Sequence, residues 1–326
     1  MPLDPAATSL LRQAGLPPPY EAFALAGGGN NRCFRVETGS DRRPVLLKAY
    51  FHHPDDPRDR LGHEFAFSRH AWDSGVRTLP EPLAQDPAHH LGLYDFLPGR
   101  RLSPGEVDEA AVAAALSFVA AVNHPPAIPL PEASEACFCL GAHVRTVERR
   151  LARLETIQAT DALATEVRRF LADEVASAFA TAVQGLRHFA GGDDFDRPGA
   201  RCLSPSDFGF HNALRDDTGV IRFLDFEYAG WDDPGKLVCD FFCQEAVPVP
   251  LALFDRFALG ITETLGLDAA EVERFRKLLP LYRIKWVCII LNDFLPVGRL
   301  RRSHAAGTHE TDHRERQLRK ARTALS

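Results

Sequence analysis

The segment Ser204-Pro-Ser-Asp207-Phe-Gly-Phe-His-Asn212 is followed, a short interval later, by Phe223-Leu-Asp225-Phe-Glu227. Together they concentrate oxygen-bearing side chains in a pattern suited to phosphoryl transfer from a nucleotide. That reaction needs an acceptor for the proton of the attacking hydroxyl and hard oxygen ligands for Mg2+. Asp207 has the chemistry of the first role, and Asn212 and Asp225 have that of the second. Any one of the three, taken alone, reads as a turn or cap residue; it is their order and spacing that point to the reaction. Between them, two strand-like runs flank Asp216-Asp217-Thr218-Gly219, a hairpin signal that places Asn212 and Asp225 near the same end of a ribbon. From Ser204 to Ala246 three basic residues face nine acidic ones, a net charge of −6. Such a concentration is unfavourable unless a metal or a cationic ligand offsets it.

The upstream residues supply the parts that a nucleotide would need. Gly27-Gly28-Gly29-Asn30-Asn31, between two strand-like runs, can bring backbone amides close to phosphates, and by itself also fits a plain hairpin turn. Lys48 sits in Val45-Leu-Leu-Lys48-Ala, a strand otherwise apolar, so it is either an edge charge or a phosphate ligand. Glu64, on the helix that follows, can pair with Lys48 and hold it toward phosphates; without that pairing it is an ordinary solvated helix residue.

The elements carrying these residues change character along the chain. Residues 20–26, 33–38 and 45–51 read as strands of an antiparallel meander, 59–73 as a helix stopped by Gly75, and 81–85 and 91–96 as two further strands. Leu97-Pro98-Gly99 marks a boundary, which predicts a β-rich N-lobe over 1–98 and a helical C-lobe over 99–326. In the latter, helices are predicted at 105–123, 142–158, 162–189, 236–245, 251–265 and 269–294. A basic tail follows from Arg299, with eight Arg and Lys against three acids and a last helix at 314–324.

Size and composition agree with two lobes sharing a cleft. The chain has 326 residues, 45% hydrophobic and 25% charged, more than one compact core usually holds. It has no apolar run of the roughly 18 residues that a spanning helix needs. Its first residues carry no basic stretch followed by an apolar one, so a cytoplasmic protein off the membrane is expected. Seven scattered cysteines suit structural thiols in a reducing compartment; Cys137-Phe-Cys139 and Cys239-x-x-x-Cys243 lack the second Cys/His pair of a zinc site. The net charge of −6 argues against nucleic acid as a partner.

With these motifs in order, the sequence resembles the aminoglycoside phosphotransferase and choline kinase family over about residues 25–242. The resemblance implies an α+β, bilobal protein-kinase-like fold, with an antiparallel N-lobe sheet and a mainly helical C-lobe. It further implies an ATP- and Mg2+-dependent transfer of the γ-phosphate to a hydroxyl of a small molecule such as an amino alcohol, a sugar or an aminoglycoside-like compound. Gly27-Gly-Gly-Asn-Asn-Arg-Cys-Phe-Arg-Val looks like the family's nucleotide loop, with Gly27, Gly28, Gly29 and Asn30 at the phosphates. Lys48 and Glu64 look like its ion pair, and Leu93-Tyr-Asp-Phe-Leu-Pro-Gly like its hinge, where backbone groups from Asp95 to Leu97 would hold adenine. Asp225-Phe-Glu-Tyr-Ala-Gly is especially similar to the choline and ethanolamine kinases. By this resemblance Asp207 is the catalytic base, Asn212 and Asp225 bind Mg2+, and Asp240 braces the catalytic loop. The chain departs from the family at Pro205, where a histidine usually stands. That histidine braces the loop rather than reacting, so the change bears on loop geometry. His211 reads as a packed loop histidine outside the site. For the acceptor, Trp231, Asp232, Asp233, Tyr282, Trp286 and Asp293 put acids beside aromatics, a combination suited to a cationic amine, with Trp286 reading more readily as core. The alternative function is a nucleotide-binding pseudokinase with a regulatory or scaffold role.

Overall fold

The structure, a computed structural model, describes residues 3–25, 31–53, 56, 58–124, 129–191, 193–295 and 310–325. A short helix, α1 (Pro5–Gln13), precedes strands β1 (Tyr20–Leu25), β2 (Arg32–Thr38) and β3 (Arg43–Ala49). Helix α2 (Arg60–Asp73) follows, then strands β4 (Pro82–Asp86) and β5 (Leu91–Asp95). The five strands form one sheet in the order β1-β2-β3-β5-β4, every neighbouring pair antiparallel. The first three make the expected meander, and β5 pairs with β3, which leaves β4 at the edge.

Side chains alternate across β3 as strand geometry requires. Val45 and Leu47 pack in one apolar cluster with Val36, Leu93 and the α1 residues Leu10 and Leu11. Leu46, Lys48 and Tyr50 fall on the other face, where Leu46 and Tyr50 join Leu61 of α2 and Tyr94 of β5. Asp59 caps α2 by accepting from the Gly62 N–H at 2.9 Å, and Gly75 follows the helix with φ 88°, a conformation open mainly to glycine.

The chain forms two compact units that interleave in sequence. The first comprises Met1–Leu102, Ser117–Ser134 and Pro205–Gly230, and the second Ser103–Leu116, Glu135–Ser204 and Trp231–Ser326. The change of secondary structure at Pro98 is therefore a different division from that of packing. Besides the main sheet, the first unit holds three short strands: β6 (Arg100–Arg101), β8 (Ala213–Arg215) and β9 (Ile221–Phe223), paired in the order β6-β8-β9. Five phenylalanines bind this small sheet to α2. Phe118 lies 4.9 Å from Phe223 and 5.7 Å from both Phe208 and Phe226, while Phe67 lies 4.8 Å from Phe226, all centroid to centroid. Tilted and offset aromatic contacts of this kind add to the area they bury.

The second unit is helical. Helix α3 (Glu109–Val122) begins in it, and α4 (Leu140–Glu155), α5 (Ala162–Phe170), α6 (Ala176–Ala190), α7 (Pro234–Cys243), α8 (Phe254–Leu265), α9 (Glu271–Leu291) and α10 (Glu310–Leu325) belong to it. Strand β7 (Cys202–Ser204) also lies here and pairs with β10 (Gly230–Asp232), most of which falls in this unit. The stretch predicted as one helix over 162–189 is broken by a π-turn at Leu171–Val175, which shifts the face that α6 buries relative to α5. Helix α7 starts two residues before the expected position, because Asp233 caps it and Pro234 occupies its first position. Helix α9 packs against α4, α6, α7, α8 and α10 and supplies Leu278, Leu281, Val287 and Leu291 to the core. All seven cysteines are free thiols, and among the described residues no helix is long and apolar enough to cross a membrane.

Two packing details yield measurable consequences. Gly92 lies opposite Lys48 in the β3–β5 pairing, and a Cβ there would come within 2.8 Å of the Tyr94 ring and 3.1 Å of Tyr50 and Leu61. Rigid rings cannot retreat as a flexible chain end would, so Gly92→Ala is expected to destabilise the protein by about 1–3 kcal/mol through overpacking, read as a lower denaturant midpoint with an unchanged m-value. In the second unit, fully buried His143 lies 2.7 Å from Tyr282 Oη through Nδ1 and 3.7 Å from Asp233 Oδ1 through Nε2. Burial opposes its charge, but Asp233 and Cys137 outweigh burial and raise the imidazole to about 9, while His143 and Arg274 hold Asp233 down at about 2 against the same burial. The raised histidine contributes stability that is complete below pH 6.5 and lost as pH rises through about 9; the lowered aspartate contributes stability lost only as pH falls from 3.8 through about 2. Thermal melts from pH 6 to 10 should therefore show the wild type losing up to roughly 3 kcal/mol more than His143→Gln. Parallel pH profiles for the two proteins would refute the charged pair.

Candidate active site

Every described residue proposed for catalysis, metal or nucleotide falls in the first unit: Lys48, Glu64, Asp95, Leu97, Asp207, Asn212 and Asp225. Gly27, Gly28, Gly29 and Asn30 lie outside the described residues.

Lys48 is the centre of the arrangement. Its Nζ donates to Glu64 Oε2 at 2.6 Å and to Asp225 Oδ1 at 2.8 Å, so one cation from β3 joins helix α2 to the segment after β9. Burial works against that charge, but Asp225 and Glu64 outweigh it and hold the ammonium well above its usual pKa. Glu64 accepts a second hydrogen bond at 2.7 Å from Tyr50 Oη, which also lies 2.8 Å from Tyr94 Oη. Burial pushes the Glu64 carboxyl up to about 7 despite these partners. The pair is thus a buried, hydrogen-bonded ion pair rather than a solvated helix contact, and Lys48 is not an edge charge.

The catalytic-loop candidate is shaped by its backbone. Ser206 and Asp207, directly after Pro205, have φ of 50° and 33°, and Asp225 has φ of 67°. Left-handed conformations are unfavourable for residues with a Cβ and gather at functional sites, aspartate being among the types that tolerate them best. Asn212 Nδ2 donates to the Asp207 carbonyl at 3.1 Å and approaches Asp207 Oδ2 at 3.5 Å. The hairpin expectation holds: Ala213 pairs with Phe223, and Leu224 N–H donates to the Asn212 carbonyl at 2.9 Å, which brings Asn212 beside Asp225 at one end of the ribbon. Asp207 and Asp225 keep about two-fifths of their side-chain surface exposed, as groups that meet a ligand must.

Further side chains, outside the set proposed from the sequence, make contacts here. His211, assigned to loop packing, has Nε2 3.4 Å from Asp207 Oδ1. Asn31, the residue after the glycine run, donates to Glu227 Oε2 at 2.7 Å and accepts from Phe51 N–H at 3.2 Å. Glu227 is also 3.6 Å from Arg60 Nε, and Arg60 in turn bonds Asp56 at 2.7 Å and the Phe51 carbonyl at 3.2 Å. The signals were thin: Asn31 ends a glycine run and Glu227 follows Asp225 by two, but the pairing across 196 positions is visible only in the fold.

The acid-rich segment resolves differently from its charge count. Asp216 folds back on its own hairpin, accepting from Thr218 and Val220 backbone N–H groups and from Arg222. Buried Asp232 accepts from Lys236 at 2.5 Å, Asp233 from Arg274, and Asp240 from Lys285 at 2.7 and 2.8 Å and from Trp286 at 2.9 Å. The chain's own cations therefore offset most of it. Of the residues that suggested an acceptor site, Asp232 and Asp233 are buried in these internal pairs, Tyr282 is buried against His143, and Asp293 holds His313 and Gln317 of α10. Among the described residues no group of three or more His, Cys, Asp and Glu is arranged to hold a metal ion.

Comparison with known proteins bears on the family and the fold. Residues 22–264 match the phosphotransferase enzyme family. No curated protein sequence matches the chain. Among solved structures, an ethanolamine kinase of Plasmodium vivax superposes with a TM-score of 0.59 at 13% identity, covering 94% of this chain and 84% of that one. A choline kinase from Cryptosporidium parvum Iowa II gives 0.56 at 13% identity, with 98% of each chain covered. A spectinomycin phosphotransferase in complex with ADP and spectinomycin gives 0.59 at 13% identity, with 99% of each chain covered. At these identities the structures establish the shared protein-kinase-like fold, and the family match extends over three-quarters of the sequence. With Lys48, Glu64, Asp207, Asn212 and Asp225 gathered in one unit of that fold, the chain belongs to the phosphotransferase enzyme family.

Proposed function

We propose that the protein is an ATP- and Mg2+-dependent kinase that transfers the γ-phosphate to a hydroxyl group of a small molecule: an amino alcohol, a sugar or an aminoglycoside-like compound. The observation that carries this reading is the Lys48 ammonium fixed between Glu64 and Asp225 beside the Asp207–Asn212 loop. The similar folds named above include kinases and a phosphotransferase solved with ADP, which supports ATP as the donor.

The donor set fits magnesium. Asn212 engages its amide nitrogen with Asp207, which leaves its oxygen as the atom for a hard cation, and Asp225 is a partly exposed carboxylate with only one oxygen on Lys48. Asn212 and Asp225 are the residues that would hold Mg2+, which when bound neutralises charge on the transferred phosphoryl group. Lys48 meets the α- and β-phosphates, kept in place by Glu64, and Gly27, Gly28, Gly29 and Asn30 approach them through backbone amides. At the hinge, the Asp95 N–H donates to the Glu81 carbonyl at 2.8 Å, and the remaining backbone groups from Asp95 to Leu97 are those that would hold adenine.

Asp207 takes the proton of the acceptor hydroxyl as that oxygen bonds to the γ-phosphorus and the bond from the γ-phosphorus to the bridging oxygen breaks, ADP leaving with the electron pair. Pro205 replaces one source of rigidity with another by fixing φ ahead of the two left-handed residues, and His211 supports Asp207 from the other side of the loop. Asp207 is a catalytic residue and His211 a positioning residue.

The deciding experiment is Mg-ATP consumption with a panel of amino alcohols, sugars and aminoglycosides. Asp207→Asn keeps the shape and removes the proton acceptor, so turnover should fall by roughly 10² or more while the KM for ATP stays level. Protein that binds Mg-ATP yet phosphorylates nothing in the panel, or an Asp207→Asn variant that retains full turnover, would overturn the reading. His211→Ala should lower kcat by roughly tenfold, less than Asp207→Asn, with His211→Asn recovering part of the loss by keeping a donor near Asp207. An unchanged kcat in His211→Ala would remove it from the mechanism.

A further inference from the structure

The helical unit contains a cavity of about 580 Å3 between the end of α7, helix α9 and helix α10, within the range of small-molecule sites. Four cationic side chains line it, Arg283, Arg316, Arg319 and Lys320, against one acid, Glu245. A local excess of positive charge in a protein of net charge −6 calls for a physical reason.

The partners of α10 supply one. It carries five Arg and Lys residues, and three are neutralised by neighbouring acids: Arg314 by Asp161 at 2.8 Å, Lys320 by Glu245 at 2.8 Å and Arg322 by Glu166 at 2.9 Å. The other two, Arg316 and Arg319, make no ion pair among the described side chains, and both open on the cavity. Beside them the wall is apolar, with Phe242, Leu251 and Leu279. Cys243 also faces it, and burial pushes that thiol up, which keeps it protonated.

We propose that this cavity is a binding site for a small amphiphilic anion, a phosphate or carboxylate bound by the Arg316 and Arg319 guanidinium groups with an apolar body against Phe242, Leu251 and Leu279. Guanidinium forks match both anions with paired hydrogen bonds, and an apolar wall next to them strengthens the attraction by excluding water. The same charge disfavours a cationic ligand, so the site is chemically distinct from one that would bind an amine.

Isothermal titration of the whole protein with hexyl phosphate, hexanoate and hexan-1-ol tests the assignment. At least one of the two anions should saturate at one equivalent, and the tighter one identifies the headgroup class. Hexan-1-ol should not saturate. Arg316→Gln/Arg319→Gln should weaken the anion at least tenfold, and so should Leu251→Glu, which places an acid at the exposed rim without touching α10. Saturating Mg-ATP should leave the affinity unchanged, separating this site from the proposed nucleotide site. Failure of both anions to saturate, equal binding of hexan-1-ol, unchanged affinity in both altered cavities, or displacement of the anion by Mg-ATP would each overturn the proposal.

Discussion

A single buried cation organises the first unit. Lys48 is desolvated on the α2 face of β3, a position that ordinarily drives a lysine toward neutrality, and it stays charged because two carboxylates from distant segments meet it at 2.6 and 2.8 Å. The requirement runs in both directions. Glu64 is buried enough that its carboxyl rises to about 7, and without the ammonium and the Tyr50 hydroxyl its charge could not persist there. Three elements, the central strand, the helix behind it and the segment after the hairpin, are therefore fixed by one charge balance. Removing one partner leaves an uncompensated buried charge, the costly way to break such a network.

The two segments that carry the site aspartates are themselves strained. Ser206, Asp207 and Asp225 occupy the left-handed region, so the aspartates are aimed by backbone conformations that an unsupported chain would leave. Support comes from below and from the side. Phe208, Phe223 and Phe226 alternate with the polar site residues and turn into the cluster around Phe118, while Asn212 ties the loop carbonyl and the start of the hairpin together. Apolar packing thus supplies the rigidity that lets three oxygen-bearing groups remain partly exposed.

How much of this was legible in the sequence depended on the distance over which each signal acts. Asp207, Asn212 and Asp225 were legible because their spacing is local and the hairpin between them is written in its turn residues. Lys48 was legible as an oddity, a charge in an apolar strand, and Glu64 only by way of Lys48. Tyr50 shares the face of Lys48 by simple alternation, yet its bond to Glu64 depends on how β3, β5 and α2 meet, and nothing local announces that. The Asn31–Glu227–Arg60 contacts need the same long-range register. The π-turn after Phe170 escaped because helical periodicity on either side reads as continuous. Gly27 to Asn30 were legible as a motif, and the structure adds only that the residue closing the run, Asn31, is anchored.

Charge counting shows the limit most clearly. Nine acids in one stretch suggest a metal or a cationic ligand, yet the cations that answer Asp233 and Asp240 are Arg274 and Lys285, both on α9 and more than forty residues further along the chain. A count over consecutive residues cannot see a helix that folds back. Asp207 and Asp225 differ from their acidic neighbours in keeping exposed surface and a left-handed backbone, whereas Asp232, Asp233 and Asp240 are enclosed with their counter-charges. The same test, applied with the sign reversed, singles out Arg316 and Arg319 on α10. Asp207 and Asp225 keep surface open to a ligand even where a partner meets one oxygen, and local charge density by itself is a poor guide to that.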